Sequence, residues 1–183
     1  MSFRPKVALS QDFLAQLPNL PATVQGKVMK WTLKFQADPT GTGINYETIK
    51  GARDPNLRSV RIDGDWRGIV FKPPKGDVYV LLYVDHHDSA YRWAENKKLT
   101  INPVTGAMQL IVMEHAIETV PTLPPQGGVE TGRKPLYADL SNTQLMSLGV
   151  PEDMLDAVRA IDSEDALDAL QPHLPAEAYE GLF

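Results

Sequence analysis

Apolar and polar positions change their spacing several times along this chain, and each change marks an element. The stretch "RPKVAL", residues 4–9, reads as a first strand, and Ser10 before "QDFLAQL" has the type and place of a helix N-cap. A longer helix is expected from Pro21, where Val24, Val28, Trp31 and Phe35 recur at i, i+4, i+7 and i+11 until Pro39 ends the run. That stripe is read as core rather than as a cofactor contact. Three strands follow: "NLRSVRID" at 56–63, "DWRGIVFK" at 65–72 and "DVYVLLYV" at 77–84. Gly64 in "DGD" and Gly76 in "PPKGD" supply tight turns, so the three should pair as an antiparallel meander.

Residues 86–98 have helical spacing, with Asp85 or Asp88 placed to cap the helix, and "LTINPVTGAMQLIV" offers one or two strands broken at Asn102, Pro103 and Gly106. Residues 119–135 are rich in proline and glycine without apolar periodicity, which is linker chemistry. Beyond them lie short helices opened by Ser141, Pro151, Ser163 or Pro175, with Leu145, Leu148, Met154, Leu155, Val158, Ile161, Leu167 and Leu170 as their core. The expected fold class is therefore α+β: an antiparallel sheet packed by N-terminal helices in residues 1–118, a linker at 119–135, and a small all-helical module at 136–183.

Composition narrows the functional classes. Cysteine is absent from the 183 residues, which excludes disulfides, thiolate metal sites and a cysteine nucleophile. No apolar run approaches the roughly 20 residues of a membrane span, and "MSFRPKVALSQDF" lacks the apolar core of a secretory signal, so no membrane partner and a cytoplasmic location are expected. Charge is uneven: residues 1–113 hold 15 Lys+Arg against 10 Asp+Glu, whereas 114–183 hold 3 against 13. A mildly basic first part can meet phosphate; the acidic remainder would repel it and could compete by lying over the first part.

Candidate chemistry concentrates around "VDHHD". A metal site needs convergent side chains, and adjacent His86 and His87 would diverge by about 100° on a helix, so neither a metal nor another cofactor is expected. The glycine pair in "GGVETGRK" at 127–134 lacks the lysine and hydroxyl of a phosphate loop and is read as linker. Basic residues supply a third possibility. Arg58, Arg61, Arg67, Lys72 and Lys75 on the meander, with His87, Tyr91 and Lys98 on the following helix, are candidates for phosphate contact and base stacking. Strand alternation sets Arg61 with Ser59 on the face opposite Val60 and Ile62, so that Arg61 rather than Arg58 is expected toward solvent, and sets Arg67 with Ile69 and Phe71 on a covered face or at its edge.

The order strand, two helices, meander, helix, carried by "LRSVRIDGDWRGIVFKPPKGDVYVLLYVDHHDSAYRWA", resembles the RelE/ParE toxin superfamily over about residues 4–98. There a "G(D/N)(W/Y)R" turn is flanked by arginines, as Gly64, Trp66 and Arg67 are by Arg58 and Arg61, and a "V.HR..Y" element follows, matched by Val84, His86 and Tyr91. His87 stands where arginine is frequent. For a nuclease of this kind the resemblance implies that Lys50, Arg61 and Tyr91 would activate the 2′-hydroxyl and stabilise the phosphorane. The whole chain, through "VDHHDSAYRWAENKKLTINPVTGAMQLI" and the helical segments from Leu140, also resembles the region preceding the motor core in certain bacterial UvrD-like superfamily 1 helicases, although no phosphate loop is present. The expectation is a nucleic-acid-associated module, non-catalytic by itself, with RNA or DNA as partner. The alternatives are a ribosome-dependent mRNA endonuclease and a module that docks a protein partner.

Overall fold

The computed structural model describes residues 4–113 and 134–183, so most of the expected linker and His115 lie outside the described residues. The chain divides into two compact units, Met1–Lys97 and Lys98–Phe183.

The first unit contains strand β1 (Lys6–Leu9), helices α1 (Gln11–Gln16) and α2 (Ala22–Ala37), strands β2 (Tyr46–Thr48), β3 (Leu57–Arg61), β4 (Trp66–Phe71) and β5 (Val78–His86), and helix α3 (His87–Glu95). The strands form one sheet in the order β1-β5-β4-β3-β2, antiparallel except for the parallel β1–β5 pair. Ser10 caps α1 by accepting the Phe13 N–H at 3.1 Å, and its hydroxyl donates to the Leu82 carbonyl at 2.7 Å. That carbonyl belongs to the extra residue in β5 where the β4–β5 register slips between Ile69 and Val70. One hydroxyl thus ties the start of a helix to the irregular point of β5.

The α2 stripe does what its spacing predicts. Val24, Val28, Trp31 and Phe35 are buried and join Val60, Trp66 and Val70 of the sheet in one core. Trp31 stacks on Phe35 at 5.1 Å between ring centroids, and Phe35 meets Tyr79 edge-on at 6.3 Å. Alternation then sends Ser59, Arg67 and Ile69 to the opposite face, where Tyr91 of α3 meets Ser59. The α+β class is as expected, with one strand added. The three residues of β2 are too short to show alternation and follow a glycine-rich stretch, so no apolar period announces them.

The second unit holds strands β6 (Lys97–Ile101) and β7 (Met108–Val112) and helices α4 (Asn142–Ser147), α5 (Leu155–Arg159), α6 (Glu164–Leu170) and α7 (Ala176–Leu182). The β6–β7 hairpin, which the sequence places before a boundary at 118, clusters with these helices instead. Two buried amides account for this. The Asn102 side chain accepts the N–H groups of Val104 and Thr105 in the turn and donates to the carbonyls of Met146 and Val150 at 3.0 and 3.3 Å. Gln109 donates to the Gly149 carbonyl at 2.6 Å. The helical core contains Leu145, Met154, Leu155, Val158, Ile161 and Leu167 as expected, whereas Leu148 and Leu170 are only partly buried against it. Ser141 forms a full capping box with Gln144, and Ser163 accepts the Ala166 N–H.

Gly68 of β4 carries the closest approach between α2 and the sheet. A Cβ there would stand 3.2 and 3.3 Å from two carbons of the Trp31 indole, which is itself packed in the core. Gly68→Ala is expected to destabilise the first unit by about 1–3 kcal/mol, the usual cost of overpacking a filled core. Chemical denaturation of the variant against the parent checks this.

Candidate nucleic-acid interface

The site is built outward from the β3–β4 turn. Ile62 N–H bonds the Trp66 carbonyl at 3.0 Å, and the Asp63 carboxylate accepts the N–H groups of Asp65 and Trp66 at 2.9 and 3.0 Å. Its other oxygen takes the Lys27 ammonium of α2 at 2.8 Å. The Lys27 hydrogen bond first, and the two backbone donors after it, hold the Asp63 carboxyl down at about 2.

Arg67 is 5% exposed, and its Nη1 donates to the Asp63, Trp66 and Gly64 carbonyls at 2.9, 3.1 and 3.4 Å. Its guanidinium therefore fills the inside of the turn. Pairing across the sheet sets Arg61, Arg67 and Asp85 in one row on β3, β4 and β5. Glu47 of β2 stands 3.8 Å from Arg61 Nη2 and 3.8 Å from Arg67 Nε.

At the β5–α3 junction the turn reaches the helix. The Asp65 carbonyl accepts the His87 N–H at 2.9 Å, so a backbone group from β3–β4 meets the first turn of α3. This corrects the expected cap. Asp85 Oδ1 instead accepts the adjacent His86 N–H at 2.8 Å, its Oδ2 accepts the Tyr83 hydroxyl at 3.3 Å, and Asp88 meets the His87 ring at 2.9 Å. Burial first and Asp85 second raise the Tyr83 phenol above its ordinary value. His86 packs on Trp66 with ring centroids 4.0 Å apart.

His87 stacks on Tyr91 one helical turn later at 4.2 Å, and the Tyr91 hydroxyl lies 3.1 Å from that of Ser59. A cleft of about 470 Å³ opens between turn and helix, lined by Gly64, Asp65, Arg67, His86, His87, Asp88 and Ser89. Among the described residues no group of three His, Asp or Glu side chains is arranged to hold a metal.

Contacts thus link Arg61, Arg67, His87 and Tyr91 of the candidate set across one face. The rest lie apart. Arg58 alternates to the other side of β3 and bonds the Pro55 and Leu57 carbonyls. Lys72 sits 4.6 Å above the Tyr46 ring, Lys75 is exposed in the β4–β5 turn, and Lys50 is exposed beyond β2, outside the chain of contacts that joins Arg61 to Tyr91. Lys98 belongs to the second unit and pairs with Asp153 at 3.0 Å. Neither Glu47 nor Ser59 stands out in the sequence as a site residue. Ser59 is legible afterwards as the strand neighbour of Arg61 on the same face, whereas Glu47 sits on the strand without a period.

No protein-family model matches the chain, and no curated protein matches it either. Among solved structures it is similar to a chain of the RelBE2 toxin–antitoxin complex of Mycobacterium tuberculosis, at 17% identity and a TM-score of 0.37 over 46% of this chain and 100% of that one. A chain of the RelE–RelB complex of Pyrococcus horikoshii aligns at 19% identity and 0.36 over 46% and 96%. A mutant of Escherichia coli RelE in the free state aligns at 13% and 0.37 over 51% and 94%. At these scores the likenesses indicate neither an activity nor a partner for this chain.

The depressed Asp63 carboxyl carries a pH signature. An unfolded carboxyl protonates near 3.9, before the folded one at about 2, so the contribution of Asp63 is full above about pH 4 and is lost as pH falls toward 2. In Asp63→Asn that part of the acid sensitivity should shrink. Urea denaturation of both proteins at pH 5, 3 and 2 is the measurement; parallel losses would refute the assignment.

Proposed function

We propose that the first unit is a RelE-like module that binds single-stranded nucleic acid, with Arg61 on phosphate and the His87–Tyr91 pair under a base, without cleaving it. The supporting observation is that an exposed arginine and a pair of stacked rings share one face of the sheet. Arg61 has 59% of its side chain accessible and His87 44%, so both can be reached by a strand. Aromatic faces accept any base, and an arginine on phosphate carries no sequence preference.

Cleavage would ask more of these residues. It needs an acid and a base within hydrogen-bond reach of the 2′-hydroxyl and the leaving oxygen. Tyr91 is held by Ser59, Arg67 is occupied by the turn, and Lys50 stands outside the network. Binding is the role these side chains remain able to perform. A kinship with helicase N-terminal regions is the finer form of this proposal, and a phosphate-loop motif in the reading frame downstream of Phe183 would be its test.

The full chain should bind single-stranded RNA or DNA oligonucleotides with an affinity that falls steeply as salt rises. Arg61→Ala should weaken binding for all sequences alike and lower the logarithmic salt slope by about 1. His87→Ala should cost about 1–3 kcal/mol if a base stacks there. Fluorescence anisotropy at several salt concentrations reads all three, and absence of binding at low salt would remove the proposal. Growth arrest on expression, with messenger cleavage on ribosomes lost in Arg61→Ala or Tyr91→Phe, would make the unit a nuclease instead.

A further inference from the structure

We propose that Glu47 is a built-in competitor for phosphate at the Arg61–Arg67 pair, which keeps the resting chain at reduced affinity for nucleic acid. The inference rests on the binding function proposed above and adds its regulation. At 3.8 Å from each guanidinium the Glu47 carboxylate is too far to form a hydrogen bond with either and is held by attraction alone. Arg67 Nε, buried beside it, has no hydrogen-bond partner. A buried donor without an acceptor is costly, and a phosphate oxygen at hydrogen-bond distance would satisfy it.

Glu47 is also free to leave. It sits on the three-residue edge strand β2 with 38% of its side chain exposed, and exposed ion pairs contribute little to stability. Three other acidic groups near the row have partners of their own, and neither Asp65 nor any of these three forms an ion pair with Arg61 or Arg67 among the described contacts: Asp85 holds the His86 N–H and the Tyr83 hydroxyl, Asp63 holds Lys27 and the turn, and Asp88 faces His87. Glu47 is therefore the carboxylate beside both arginines that an incoming phosphate can displace without dismantling the turn or the start of α3.

Binding of one labelled single-stranded oligonucleotide to the full chain tests this in the parent, Glu47→Gln, Arg61→Ala and the double variant. Asp12→Asn on α1 controls for net charge, and thermal melts confirm folding. Glutamine keeps an acceptor beside Arg67, so the fold is retained. Glu47→Gln should bind about fivefold more tightly at low salt, the factor one unit charge about 4 Å away is worth in water. Asp12→Asn should change affinity by less than that, and the gain should shrink in the Arg61→Ala background, where only Arg67 is left to Glu47. Binding that is unchanged or weaker in Glu47→Gln, or an equal gain with and without Arg61, would overturn the competitor role while leaving the binding function standing. No binding by any variant would overturn both.

Discussion

The Asp63 carboxylate closes the β3–β4 turn, and the rest of the first unit is hung on that closure. Its two backbone hydrogen bonds fix the turn, its ion pair with Lys27 ties the turn to α2, and the shape it imposes brings three carbonyls around Arg67. The same turn presents the Asp65 carbonyl to the first N–H of α3. A single side chain thereby sets the pairing of Arg61 with Arg67 and the place where His87 and Tyr91 begin their helix. Electrostatics and backbone geometry cooperate here: the charge is stabilised by donors that exist only when the turn is formed.

Two arginines that face each other across β3 and β4 have opposite duties. Arg67 gives its guanidinium to the protein's own carbonyls and is lost to solvent, while Arg61, one strand nearer the edge, keeps its charge outside. The carbonyls satisfy Nη1, and with Glu47 no nearer than 3.8 Å the buried Nε–H is left without a hydrogen-bond partner. The resulting face is a narrow row, not the broad basic patch that counting arginines along the meander would suggest.

Much of this was legible in the sequence where one physical rule dominates. The α2 stripe and the Ser10 and Ser141 caps follow from periodicity or from a side chain that can satisfy its own backbone, whereas Arg61 and Arg67 share one face and differ in exposure because the turn carbonyls enclose only Arg67. What escaped were contacts between segments distant in sequence. Asp85 and Asp88 had the chemistry of caps, yet a carbonyl from another turn reached the helix first. Proximity in the chain groups the β6–β7 hairpin with the first part, whereas Asn102 and Gln109 bond to residues about forty positions later. Glu47 carried no signal at all, because three residues of strand show no alternation.

The parallel pairing of β1 with β5 has a consequence for how the protein is made. Ser10 must find Leu82, 72 residues away, before β5 has both its neighbours, β1 and β4. Translation at roughly 5–20 residues per second puts seconds between the appearance of these two positions. During that interval α2 can coil locally, but Val28, Trp31 and Phe35 still lack Tyr79, Leu81 and Val84 of β5, which belong to the same core. The nascent chain therefore carries a sticky helix through several seconds of synthesis, and an early-binding chaperone would find its target on α2.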